Sequence, residues 1–274
     1  MKNNFKVTIP LAIVITLMAV IYQRATGPTY PKKIDIGFDK ETQVRVKLPR
    51  SQGGDIGAPI EIPKIEGLKS VKVVYKRYPT NDEWTELILE EKGNRFAGSL
   101  PNQPPAGKLT YFLELDIDGK IQKFNSKEDP IYIRYKGEVP TVILAPHVFF
   151  MFFSMLLSAL AFFECLFNTK SFVAVGRYTL GCLMFGGMFL GPLVQKYAFG
   201  VYWAGFPYDW DLTDNKLLIG VLSWLFAGVM TLKVKRRWPV IMAAVILFGV
   251  YSIPHSMQGS EFNYDKGVVE TDLD

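Results

Sequence analysis

Hydrophobic positions along this chain fall into two regimes. From Pro31 to Tyr135 they recur with a period of two, and Thr42–Leu48 sets Val44, Val46 and Leu48 against Gln43, Arg45 and Lys47. Similar runs occupy Val71–Tyr78, Trp84–Leu89, Leu109–Ile117 and Ile131–Tyr135. A period of two is that of a strand with one buried face. Asp118-Gly119 lies between Leu109–Ile117 and Lys120–Phe124 and predicts a two-residue hairpin. Short strands punctuated by Gly and Pro predict an antiparallel sandwich of the immunoglobulin-like or fibronectin-like kind over residues 29–137. The stretch from Leu100-Pro101 through Pro105-Ala106-Gly107 to Tyr111 has the pattern of the corner before a late strand. There a tyrosine bonds back to the turn.

On either side the pattern is continuous. Val7–Tyr22, Val139–Phe163, Phe172–Val194, Leu217–Leu232 and Trp238–Ile253 are apolar runs broken only by short charged interruptions. A spanning helix needs about 20 such residues, so they predict five membrane spans. The last two are short, but Lys216, Lys233 and Arg237 can snorkel, and Trp203, Trp210 and Trp238 fit an interfacial aromatic belt. Residues 1–28 read as a signal anchor and linker. Gln23-Arg24-Ala25-Thr26 offers no small-x-small cleavage site. Residues 138–256 read as a four-helix transmembrane bundle, and 257–274 as an acidic tail.

Charge adds orientation. Lys2 and Lys6, Lys170 with Arg177, and the Lys233–Arg237 turn would share one side. Basic residues in short loops mark the cytoplasmic face. The sandwich, the loop Gln195–Lys216 and the C-terminus then face outward. The formal charge of +5 does not indicate nucleic-acid binding, because Lys and Arg are dispersed and form no basic helix face. Cys165 and Cys182 both sit in apolar runs and read as packing residues.

Candidate chemistry is sparse, and no catalytic motif names a reaction. The two histidines each follow a proline: Pro146-His147 opens the second span and Pro254-His255 closes the fifth. Asp209, Asp211 and Asp214 lie in the outer loop, and Glu261 follows His255. Imidazoles and carboxylates meeting at one boundary would hold haem or a divalent metal, with His147 and His255 as ligands. Capping is the other reading: Asp211 or Thr213 as the cap of the fourth span, Asp214 at its positive end, and the histidines bonded to loops. No HxxxH or HExxH spacing favours ligation. Glu164 and Arg177 lie one to two turns inside the membrane and predict an intramembrane ion pair. Gly187 and Gly191 form a G-x-x-x-G, which lets helices approach closely.

Tyr22-Gln-Arg-Ala-Thr-Gly-Pro-Thr-Tyr-Pro31, Gly191-Pro-Leu-Val-Gln-Lys-Tyr-Ala-Phe-Gly200, Asp211-Leu-Thr-Asp-Asn-Lys216 and Pro254-His-Ser-Met-Gln-Gly-Ser-Glu261 stand at intervals along the chain. In these the chain resembles a family of bacterial inner-membrane proteins with an N-terminal anchor, an extracytoplasmic sandwich and a C-terminal four-helix membrane region. The resemblance implies a multi-pass protein of the bacterial inner membrane, and assigns no activity. Two functional expectations follow from the residues. The first is a non-enzymatic membrane scaffold or accessory subunit presenting its sandwich to a periplasmic or membrane partner. The alternative is an electron-transfer protein holding haem or metal on His147 and His255.

Overall fold

The computed structural model describes residues 5–37, 43–254 and 259–270. It divides into two compact units. One is built from the helical segments up to Pro28 and from Val139 to Gly259. The other comprises Thr29–Glu138 joined by the stretch from Ser260.

In the β unit the strands are β1 (Lys32–Ile36), β2 (Val44–Leu48), β3 (Ser51–Gly53), β4 (Ala58–Pro63), β5 (Leu68–Tyr78) and β6 (Thr85–Ile88). They continue with β7 (Glu90–Lys92), β8 (Arg95–Leu100), β9 (Lys108–Ile117), β10 (Lys120–Phe124) and β11 (Ile131–Lys136). The larger sheet runs β3-β11-β9-β5-β6, with β10 also paired to β9. All its pairings are antiparallel except β3 with β11. A second sheet runs β4-β8-β7, and β1 pairs with β2. Ile36, Leu48, Ile60, Ile62, Val71, Leu113 and Ile133 from these sheets bury their side chains in one apolar core. Each contributes about 1.5–3 kcal/mol relative to exposure.

Local chemistry explains the connections. Asp118 and Gly119 both take positive φ, 52° and 79°, as the two-residue turn between β9 and β10 requires. At the expected corner, the Gly107 amide donates to Pro104 O (2.8 Å) and the Tyr135 amide donates to Gly107 O (2.8 Å). The buried Tyr111 hydroxyl does not bond to this turn. It donates to Pro49 O at 2.8 Å, between β2 and β3, so it ties β9 to a loop 62 residues upstream.

The acidic stretch after Gly259 is not a separate tail. Glu261–Asn263 (β12) and Val268–Glu270 (β13) form an antiparallel hairpin that belongs to the β unit. The Phe262 amide donates to Ala106 O at 3.2 Å. The Tyr264 hydroxyl donates to Gln103 Oε1 at 2.9 Å and to Lys108 O at 3.1 Å.

Among the described residues the helical unit holds four helices long and apolar enough to cross a membrane: α1 (Phe5–Thr26), α2 (Thr141–Leu166), a continuous helix Phe172–Phe199, and Leu212–Met230, named α5 below. A fifth apolar helix, α6 (Trp238–Ser252), has 15 residues and is shorter than the other four. On α1, Thr8, Ala12 and Thr16 are buried and lie four residues apart, so a stripe of small side chains faces the bundle. Leu11, Val14, Leu17, Met18 and Ile21 point away from it.

The third long helix changes its winding. It is α-helical over Phe172–Cys182 (α3), π-helical over Leu183–Leu190, and α-helical again over Gly191–Phe199 (α4). Pro192 near the start of α4 has no amide to donate back into the preceding turn. Two glycines admit neighbours in this segment. A Cβ on Gly186 would lie 2.5 Å from Phe150 Cβ, and one on Gly187 would lie 2.3 Å from Leu217 Cδ1. The Gly187–Gly191 pair therefore packs within the chain, against α5.

Candidate functional site

Side chains able to carry chemistry gather in three places. At one end of the bundle, His147 in the second turn of α2 places Nδ1 2.8 Å from Gly186 O in the π-helical segment. A carbonyl can only accept, so Nδ1 carries the proton and Nε2 is left as an acceptor. A Cβ on Gly191 would lie 3.9 Å from His147 Cε1 and 3.8 Å from Leu217 Cδ2, so His147 and the first turns of α5 meet around that glycine.

The loop before α5 consumes its aspartates. Asp211 caps α5, accepting from the amides of Thr213 (2.8 Å) and Asp214 (3.2 Å). Asp214 Oδ2 accepts from the Ala204 amide at 2.7 Å, and Asn215 Oδ1 from the Phe206 amide at 2.8 Å. Asp209 Oδ1 accepts from the Trp210 amide at 2.8 Å. The ammonium of Lys216, only 2 % exposed, donates to Ile253 O (2.8 Å) and Pro254 O (3.3 Å) at the end of α6. His255 lies outside the described residues. Glu261 is in the β unit, ion-paired with Lys108. Among the described residues no three His, Cys, Asp or Glu side chains converge on a possible metal position. The capping reading is the one that the described geometry matches for Asp211 and Asp214.

Glu164 occupies the second place, near the opposite end of α2. Its side chain is fully buried, and its partners are hydroxyls rather than Arg177. Thr8 of α1 donates to Oε1 at 2.7 Å, Ser171 donates to Oε2 at 2.5 Å, and Thr169 also donates to Oε2. Arg177 is exposed on α3. A fully buried carboxylate needs donors to replace its lost water, and three hydroxyls supply them. The expected ion pair is thus replaced by a polar clasp between α1, α2 and the turn that follows. A second clasp sits near the other end of α1, where the Gln23 amide donates to Tyr251 O. Cys165 and Cys182 are both free thiols.

The third place was not anticipated. The outer face of the larger sheet carries a groove of about 750 Å³ in the β unit, within the ~300–1,000 Å³ range of small-molecule sites. β9 supplies its floor with Thr110. In register, Thr110 stands between Tyr132 of β11 and Lys76 of β5. Tyr78 and Tyr132 meet edge to face at 4.9 Å, and Trp84 packs edge-on against Phe112 at 5.3 Å. Lys76 Nζ sits 5.5 Å from the Trp84 ring, and the Arg77 guanidinium 5.0 Å from the Tyr264 ring.

Arg77 also closes a double hydrogen bond to Asp82, at 2.5 and 3.1 Å. That bond holds the Asp82 carboxyl below the usual carboxylate range. Burial pushes the Tyr264 phenol up to about 12, so it stays a neutral donor. The Thr110 hydroxyl is 1 % exposed and has no hydrogen-bond partner among the described residues. A hydroxyl left so costs about 1–3 kcal/mol. The sequence held one signal of this layer: Leu109-Thr-Tyr-Phe-Leu113 does not alternate, as a strand covered on both faces would not. No protein-family model, curated protein or solved structure matches this chain.

Proposed function

We propose that this protein is a multi-pass membrane scaffold or accessory subunit that holds an immunoglobulin-like sandwich outside the cytoplasm of a bacterial cell and engages a partner through the groove beside Trp84. The observation that carries this reading is the groove itself, an aromatic and polar recess over a buried, unsatisfied Thr110 hydroxyl. Recesses with a few convergent polar groups are the default binding sites of a fold.

Chain connectivity supports five spans. The chain leaves the β unit at Glu138 and re-enters it at Ser260, so it crosses the bilayer an even number of times in between. The helix Thr141–Leu166, the helix Phe172–Phe199 and the helix Leu212–Met230 account for three crossings. α6 supplies the fourth, although its 15 residues reach about 22 Å against a hydrocarbon core of ~30 Å. With α1 the total is five, and the N-terminus lies opposite the β unit. Lys6, Lys170 and the Lys233–Arg237 turn then share the cytoplasmic side. Reporter fusions after Lys170 and Lys235 should read cytoplasmic, and fusions after Tyr135 and Lys216 extracytoplasmic. A reversed internal reporter refutes the topology.

Binding is tested by a photo-crosslinking residue at Tyr132 in the groove, with Ile56 as an exposed control. A discrete adduct in cell membranes from position 132 and none from 56 supports the reading. Equal labelling at both, or none at 132, refutes it.

A second reading, a haem or metal protein using His147 and His255, is favoured by one observation. The Nδ1 bond to Gly186 O leaves Nε2 without a hydrogen-bond partner among the described residues, as the outer bond of a ligating histidine does. A visible spectrum and elemental analysis of purified protein test it. A Soret band or stoichiometric metal that His147→Ala abolishes would favour it over the scaffold.

A further inference from the structure

The inference rests on the groove being a binding site and names what it takes: we propose a neutral polyhydroxylated ligand, a segment of a saccharide chain.

Charge excludes the ionic classes. The lining contains Lys76, Arg77 and Lys127 against Asp82, Glu128 and Asp265, which sum to zero, and Arg77 is already closed onto Asp82. Phosphate and polyanion sites concentrate unopposed Arg and Lys, and this groove does not. A purely apolar ligand is excluded by the same charged and hydroxylated wall. What remains is a ligand with polar edges and apolar faces. A sugar ring has both, with its hydroxyls around the rim and its C–H bonds across the flat. Trp84, Tyr78 and Tyr132 offer flat apolar surfaces for such rings.

The floor is selective in kind. A hydroxyl both donates and accepts, so the unpartnered Thr110 Oγ1 is matched in either role by another hydroxyl. Lys76 and Tyr132 stand beside it in one cross-strand row, and both line the groove. An extended peptide added as a strand would need a free sheet edge. The groove instead lies over β5, β9 and β11, and β9 is hydrogen-bonded on both sides, to β5 and β11.

The full chain, reconstituted in nanodiscs to avoid sugar-headed detergents, is titrated calorimetrically with chitotetraose, cellotetraose and maltotetraose. Inorganic phosphate and a proline-rich decapeptide are titrated alongside. At least one tetrasaccharide should bind saturably, and phosphate should not bind. Trp84→Ala should weaken binding about tenfold, the loss of one stacked ring. Thr110→Val should weaken it about fivefold, the loss of one neutral hydrogen bond. Thr110→Val should leave the melting temperature of the free protein unchanged or raised, because the hydroxyl has no partner to lose; a purely structural threonine would lower it. The proposal is overturned if no tetrasaccharide binds at millimolar concentration, if binding survives both substitutions, or if the peptide or phosphate binds in their place. A protein adduct at position 132 together with saccharide failure would leave the partner-binding reading standing and remove this one.

Discussion

Replacing Thr8 by Val keeps the shape of the α1 side chain and removes a single donor, the hydroxyl 2.7 Å from Glu164 Oε1. Hydrogen bonds to a charged group contribute about 1.5–3 kcal/mol in proteins, and interhelical bonds in membranes about 0.6–2. Thr8→Val should therefore cost about 1–2 kcal/mol. Glu164→Leu leaves the hydroxyls of Thr8, Thr169 and Ser171 without their acceptor. With three such bonds lost at about 0.6–2 kcal/mol each, that variant should lose roughly 2–6 kcal/mol. The double variant should cost less than the two single changes added together, because both remove the same Thr8–Glu164 hydrogen bond. The shortfall measures that one bond. Equilibrium unfolding of the full chain in mixed micelles measures all four corners of the cycle. Additivity within about 0.5 kcal/mol would refute the clasp. So would an Arg177→Ala variant as destabilised as Thr8→Val, which would restore the ion pair that the sequence suggests.

Three other outcomes follow from particular contacts. Gly187→Ala places a methyl 2.3 Å from Leu217 Cδ1 and should cost about 1–3 kcal/mol by overpacking. Leu217→Ala should recover part of that loss in a thermal melt, and no recovery would place the strain elsewhere. Tyr111→Phe leaves Pro49 O without the donor that reaches it across β9 and should lower stability by about 1–3 kcal/mol; an unchanged melting temperature would show the bond to be dispensable. Burial, opposed by Glu261, lowers the pKa of Lys108 below 10.5, so the unfolded chain keeps that proton after the folded one has released it. Stability relative to Lys108→Met should rise as pH climbs through the window ending at 10.5 and be fully present above it. A flat or falling difference across that window would contradict the assignment.

What could be read along the chain was what repeats locally. Val44, Val46 and Leu48 announce their strand by alternation, Asp118-Gly119 announces its turn by backbone permissiveness, and the apolar runs announce apolar helices, four of them long enough to cross a membrane among the described residues. The misreadings arose where distant segments meet. Glu164 invites a charged partner in its own hairpin, yet a principal donor is Thr8, 156 residues away. Hydroxyls carry no charge to flag them in a sequence. Glu261 seemed to belong with the histidine before it, but its partner Lys108 lies 153 residues upstream. The β12–β13 hairpin escaped notice because three-residue strands around Tyr264–Gly267 are too short to show a period. The groove escaped because its aromatic rings come from four separate strands and loops. Asp211 was legible as a cap, since a carboxylate just before an apolar helix serves that end wherever the rest of the chain lies.

The return of the chain from the bundle into the β unit imposes an order on its synthesis. Gln103, Lys108 and Arg134 emerge from the ribosome early, whereas Ser260, Glu261 and Tyr264, which they bond, emerge only after every helix has been made. Arg134 donates at 2.5 Å to Ser260 O and is almost fully buried in the finished fold. One wall of the groove, the Tyr264 ring under Arg77, is likewise laid last. A nascent chain halted before Ser260 holds an unfinished domain with an unfinished groove. The recess is therefore completed only after the last helix has been synthesised, and a chain truncated before Ser260 lacks its Tyr264 wall.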